Sequence, residues 1–240
     1  MIDLHTHILP GVDDGAKTVE QSIKMLLAEF AQGVDTVVLT PHYYPDREPL
    51  ERFLSRREVA WANLQEAILA LEQETFRCLP KLVLGAEVAY IPGLHTMEGL
   101  QALCIGNTRN MLLELPFYSW DTQTVRGIYD FLGRAGVTPI LAHIERYFAC
   151  QSRKFLDEIL ELGLPVQVGS QTITSRFSVA FKLLKQGRAH IIASDCHDLQ
   201  HRCPNLRQAM EHVEKKLGTE RVEEMVELTQ QLTAILRGNV

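Results

Sequence analysis

The chain has 240 residues, 46% of them hydrophobic and 22% charged, and a formal net charge of -6. This length suits a single α/β barrel, and the acidic balance argues against nucleic acid as the main partner, because phosphate backbones attract basic faces. Five cysteines without a C-x-x-C read as reduced thiols of a cytoplasmic protein; no signal peptide is expected, and no apolar run approaches the ~20 residues that cross a bilayer.

Short apolar runs alternate with helical patterns along the chain. MIDLHTH (1–7) is the first predicted strand. Thr18-x-x-Gln21 then reads as a capping box, and Ile23, Leu26, Leu27 and Phe30 recur at helical spacing. VDTVVLTPH (34–42) is the second strand, and Trp61, Leu64, Ile68 and Leu71 mark the next helix. LVLGAEVAY (82–90) and NMLLELPF (110–117) follow as strands, then a helix over 122–134. VTPILAH (137–143), LPVQVGS (164–170) and HIIASD (190–195) complete seven strands, separated by helices over 152–162 and 175–187 and followed by helices over 205–217 and 219–236. Such alternation implies a parallel sheet with helical crossovers, apolar on both faces. The pattern predicts one domain over residues 1–240, a closed or nearly closed (β/α)7 TIM-like barrel.

Metal-ligand residue types gather where these strands end. His5 and His7 end the first, His42 the second, and His143 the fifth; Glu87 and Glu114 lie near the ends of the third and fourth. Asp195 ends the seventh, with His197 two residues on. In barrels the C-terminal ends of the strands carry the active site. Strand residues i and i+2 point to one side, so His5 and His7 can reach one ion together, as can Asp195 and His197. Glu87 and Glu114 are acids within apolar runs, and a buried carboxylate needs a partner or a metal. Taken singly, each has a plainer reading: a packed strand histidine, or for Asp13 and Asp14 a turn before Gly15. Joint placement carries the metal reading. Of the other histidines, His95 reads as surface, His190 as structural and His212 as solvated, and His201 lies four residues from His197, the spacing of a helical pair.

H-T-H-I-L-P-G-V-D-D-G, T-P-H-Y, G-A-E-V, L-E-L-P, A-H-I-E-R-Y and S-D-C-H, in this order, resemble the polymerase-and-histidinol-phosphatase (PHP) superfamily. Within it they are similar to the manganese-dependent bacterial tyrosine phosphatases of capsule and exopolysaccharide synthesis. The resemblance implies a distorted seven-stranded barrel holding three manganese ions, with iron, zinc or cobalt as alternatives. It implies His5, His7, Glu87 and Asp195 around the first ion, Glu87, Glu114 and His143 around the second, and Asp14, His42 and His197 around the third. Arg146 and Arg202 would contact phosphate. His201 before Arg202 and Cys203-Pro204 after it depart from the family pattern, so this loop is expected to sit differently. The implied substrate is a phosphotyrosine-bearing protein, in the family's pattern the tail of a polysaccharide-assembly kinase. Phe117, Tyr118 and Trp120 follow the fourth strand, where they would flank an aromatic substrate.

Three rival readings stand beside this one. Cys196 and Arg202 satisfy C-x5-R, the pattern of cysteine-dependent phosphatases, but the intervening residues include none of the glycines and small side chains that let a loop wrap phosphate. A histidinol-phosphate phosphatase would use similar ligands. A noncatalytic PHP-like module would need no metal.

Overall fold

The computed structural model describes residues 1–234. Its strand segments are all paired in parallel and form three sheets. β1 (Ile2–Thr6), β2 (Thr36–Leu39) and β4 (Lys81–Leu84) form the first, in the order β1-β2-β4. The second runs β3-β5-β6-β7, from β3 (His42–Tyr43), β5 (Glu87–Ala89), β6 (Asn110–Glu114) and β7 (Thr138–Leu141). β8 (Gln167–Gly169) pairs with β9 (Ile191–Ala193).

The second and third predicted strands therefore each break in two. Pro41 has no N–H to contribute to a ladder. The hydrogen bonds step past it instead: Gly85 N–H donates to Leu39 O (2.9 Å) and Glu87 N–H to Pro41 O (3.1 Å). Single bridges, Thr6 to Cys196 and Leu141 to Val166, join the edges of the sheets. The seven runs follow one another in sequence order, but the ladder is interrupted at these seams and does not close continuously.

Eight α-helices lie among the described residues: α1 (Val19–Ala31), α2 (Leu50–Leu69), α3 (Gln73–Phe76), α4 (Thr122–Arg134), α5 (Arg153–Leu160), α6 (Val179–Lys185), α7 (Leu206–Leu217) and α8 (Thr219–Thr233). Residues 235 and 236 of the last predicted helix lie outside the described residues. Side chains start several of these helices as N-caps should: Thr18 accepts from Gln21 N–H, Asp121 from Thr124 N–H and Ser152 from Phe155 N–H.

The buried face of α1 differs from the expectation. Ser22, Met25, Leu26 and Glu29 are buried, while Phe30 is exposed. Apolar periodicity misses this stripe because two of its members are polar and find distant partners. Ser22 Oγ donates to Ile8 O (2.6 Å), and Glu29 Oε1 takes long contacts from Ser194 Oγ (3.4 Å) and Cys196 Sγ (3.5 Å). α2 likewise starts eleven residues before Trp61, because its buried face includes Arg57, whose guanidinium donates to Gly85 O and Ala102 O.

Leu4, Val38, Leu112, Ile140 and Ile191, from five strands, pack in one cluster with Leu232 of α8. Asn110, the first residue of β6, donates its side-chain N–H to Leu232 O (2.6 Å). The end of α8 thus meets the start of β6, away from the C-terminal ends of the strands.

Candidate metal centre

His5 and His7 set the geometry. Their Nε2 atoms stand 3.1 Å apart. His7 Nδ1 lies 2.7 Å from Asp13 Oδ2, and His5 Nδ1 lies 3.2 Å from Gln167 Oε1. Both partners are acceptors, so each ring places its proton on Nδ1 and turns the lone pair of Nε2 toward the other ring. Two more lone-pair donors face the same point. Glu87 Oε2 lies 3.2 Å and 3.3 Å from the two Nε2 atoms, and Asp195 Oδ1 lies 3.4 Å and 3.3 Å from them. Both oxygens are buried without a hydrogen-bond partner. Adjacent donors on an octahedral ion with bonds of ~2.1 Å lie about 3 Å apart, which is the spacing found.

Glu87 is shared. Oε1 lies 2.8 Å from His143 Nε2, while Oε2 lies 2.9 Å from His42 Nδ1, without the direction of a hydrogen bond. Glu114 Oε1 lies 3.4 Å from His143 Nε2, and Glu114 also clusters with His42 and Glu87. A third group joins His7, Asp14, His42 and His197. His197 Nδ1–H donates to Asp195 O (3.0 Å), leaving Nε2 3.4 Å from Asp14 Oδ1, and His42 Nε2 lies 3.5 Å from the same oxygen. Seven of the nine residues expected as ligands fall into the three groups, His7, His42 and Glu87 each into two, and His143 and Asp195 join them through Glu87 and through His5 and His7.

The electrostatics suit cations. Burial resists charge on His143, but Glu114 and Glu87 raise its pKa to about 9. Burial likewise opposes charge on His7, yet Asp13, Asp195 and Glu87 push its pKa well above the ordinary value. Against the same desolvation, Glu87 and Asp195 are held well below the usual carboxylate range, His5 contributing most to each. The carboxylates are thus held ionised, and they draw positive charge onto His7 and His143, a balance that fits divalent cations in place of those protons. His143 (φ 30°) and Asp195 (φ 51°) both adopt the left-handed backbone region, which costs a residue with a Cβ and recurs at functional sites.

Arg146 and Arg202 both donate from Nη2 to Asp195 Oδ2, and both are about one-third exposed. Arg202 therefore reaches the centre despite its altered neighbours. The turn that carries it closes on Asp198, whose carboxylate accepts from the Gln200 and His201 N–H groups. This turn replaces the helix that would have set His201 beside His197. Cys196 is fully buried and points to Glu29; burial, reinforced by Glu29 and Asp3, drives its thiol pKa well up. A buried, protonated thiol is no nucleophile, so C-x5-R is a coincidence of spacing. Among the other histidines, His190 accepts from Val166 N–H, and His212 is half-buried with its ring edge-to-face with Phe181, not solvated.

Two residues of the centre escaped the sequence reading. Asp13 is no mere turn residue: besides His7 it binds the His42 N–H (2.9 Å) and the Gly15 N–H (2.9 Å). Gln167 Oε1 accepts from both His5 Nδ1 and the His143 N–H (2.7 Å). The signal for Gln167 was a lone amide inside the apolar run LPVQVGS; Asp13 gave none beyond the D-D-G pair. Asp13→Asn is expected to weaken metal binding or activity about 10- to 100-fold, the usual cost of losing a carboxylate behind a ligand histidine. Calorimetric metal titration of the variant checks this.

A ring of histidines and carboxylates at parallel strand ends defines an α/β protein with a candidate multinuclear metal centre. The chain belongs to the CpsB/CapC family of capsular polysaccharide synthesis, whose model matches residues 1–235. It is 30% identical to the tyrosine-protein phosphatase CpsB of Streptococcus pneumoniae over 243 residues, covering 94% of both chains. It is 29% identical to the tyrosine-protein phosphatase YwqE of Bacillus subtilis, covering 92% of this chain and 86% of that one. A solved structure from work on YwqE and CpsB, described there as metal-dependent tyrosine phosphatases, superposes with a TM-score of 0.79 at 24% identity, over 98% of this chain and 94% of the other.

Proposed function

We propose that this protein is a metal-dependent protein-tyrosine phosphatase that binds three manganese ions at the ligand set above. The observation that carries the reading is the pair of facing Nε2 lone pairs of His5 and His7, closed in by two buried carboxylate oxygens without hydrogen-bond partners. Four such atoms can face one point only with positive charge among them, a proton on an imidazole or a metal cation, and a divalent ion meets all four at once. The curated relatives named tyrosine-protein phosphatases support the substrate class.

Divalent ions bound there would acidify water toward a pKa of ~7 and neutralise phosphoryl oxygens. The protein's own groups do the positioning. Asp13 and Gln167 hold protons on the Nδ1 atoms of His7 and His5, keeping Nε2 free to ligate. Arg146 and Arg202 present guanidinium forks, suited to bidentate contact with phosphate oxygens, and lie partly open to solvent beside Asp195. A phenol has a pKa of ~10, so phenolate leaves without a strong protein acid.

In this reading the site is borne by a single PHP-type domain, a distorted (β/α)7 barrel with seams at Thr6–Cys196 and Leu141–Val166. The substrate is the phosphotyrosine-bearing tail of a kinase of polysaccharide assembly, met in the cytoplasm. No described helix is long and apolar enough to cross a membrane. Phosphate release from a phosphotyrosyl peptide should vanish with EDTA and return with Mn²⁺. Activity that survives chelation and removal of all metal from the protein would overturn the mechanism; turnover of histidinol phosphate alone would overturn the substrate.

A further inference from the structure

Three aromatic residues follow β6, and they have separate fates. Trp120 is buried, its indole N–H donating to Pro116 O (2.8 Å), its ring packed on Tyr147. Tyr118 is exposed but lines a separate cavity with Tyr90, His95 and Arg126. Phe117 alone lies against the metal centre. Its ring is nearly parallel to His143, with an interplanar angle of 20° and centroids 5.9 Å apart, and it stacks on Tyr147 at 5.0 Å. His143 and Tyr147 are themselves 5.8 Å apart. Three such nearly equal distances make a triangle, so both neighbours lie on the same side of Phe117; offset rings stacked on opposite faces, each ~3.5 Å from it, would stand at least about 7 Å apart. The residue is 48% exposed, and among the described residues no further aromatic ring or cation is stacked on it. Tyr44 is the other ring stacked on a ligand histidine, at 5.3 Å from His42, but the Arg47 guanidinium already lies 4.1 Å over it.

We propose that the face of Phe117 turned away from His143 and Tyr147 is the aryl platform of the site, taking the phenyl ring of the substrate by stacking while its phosphate sits between the metal centre and the two arginines. This inference rests on the phosphatase reading. It assigns selection of aryl over alkyl phosphates to one side chain of the rim, separate from the groups that act on phosphate.

Unreactive phosphonates isolate this term from leaving-group chemistry. Calorimetry on the Mn²⁺-loaded protein would compare phenylphosphonate with methylphosphonate for wild type, Phe117→Leu and Phe117→Trp. Leucine keeps an apolar cover on His143 but offers no ring. Phenylphosphonate should bind Phe117→Leu about three- to tenfold more weakly, the usual worth of an aromatic pair, with methylphosphonate unchanged and Phe117→Trp restoring the preference. Equal weakening of both ligands would mean that Phe117 only packs His143, and no change in either would mean that the ring is not used; each overturns the proposal. A wild-type protein that releases no phosphate from any monoester removes the phosphatase reading and this inference with it, and that result appears before any variant is made.

Discussion

Glu87→Gln should reduce phosphotyrosyl hydrolysis by about 10³-fold or more, beyond the roughly 10- to 100-fold cost of removing a residue behind a ligand. The substitution keeps size and shape and removes one charge. Glu87 sits at the junction of the centre: Oε1 faces His143 and Oε2 faces His5, His7 and His42. An amide can offer only one oxygen, and its NH₂ would point donors at imidazoles that need to present lone pairs. More than one cluster is damaged by one change. The protein should therefore lose bound metal as well as turnover, while its far-ultraviolet circular dichroism and cooperative melting persist. Glu114→Gln provides the contrast, since Glu114 joins only one of the three groups; it should lose less metal. Metal content by mass spectrometry, read beside kcat, checks both. A Glu87→Gln protein with full metal content and near-normal kcat would show that the carboxylate bridges nothing.

The strand ends were legible because their signals are local. Seven of the nine proposed ligands lie at or near the end of an apolar run, Asp14 and His197 being the exceptions, and the i, i+2 spacing of His5 and His7 follows from strand geometry alone. What was not legible depends on partners far along the chain. Asp13 reads as a turn residue until His42, twenty-nine positions later, brings its N–H to the same oxygen that holds His7. Gln167 joins His5 to His143 across 162 and 24 residues. Glu29 is buried on α1 because β9 leads to Ser194 and Cys196 beside it. The breaks in the second and third strands have the same origin. Pro41 is visible in the sequence, but a run apolar on both faces gives no sign of where its neighbour resumes pairing. Arg202 is the opposite case: its neighbours depart from the family pattern, yet Asp195 and the Asp198 turn hold its guanidinium beside that of Arg146.

Gly15→Ala should be nearly as damaging as loss of a ligand, although Gly15 touches neither metal nor substrate. A Cβ there would stand 2.0 Å from His7 O, 2.5 Å from His7 Cβ and 2.8 Å from His7 C. Two of these atoms are backbone, so no rotamer change relieves the contact. The loop cannot simply lift away, because Ala16 N–H donates to His7 O (2.9 Å) and Gly15 N–H to Asp13 Oδ1 (2.9 Å). Either His7 moves, and with it one member of two metal groups, or residues 13–16 move, and with them Asp13 and Asp14. Overpacking of this kind costs about 1–3 kcal/mol, and a 1 Å misplacement of a reacting geometry can cost about 10²-fold. Gly11→Ala separates the two effects. Gly11 has φ 70°, where alanine is strained by about 1–2 kcal/mol, but its Cβ would meet nothing closer than Lys17 O at 3.8 Å. Both variants should melt a few degrees lower, at roughly 2–4 °C per kcal/mol for a chain of this size. Only Gly15→Ala should lose bound metal and about 10²-fold in kcat. Equal activity in the two variants would mean that the loop yields without displacing His7, and that the close approach of Gly15 is a packing feature and not a device for holding the ligand.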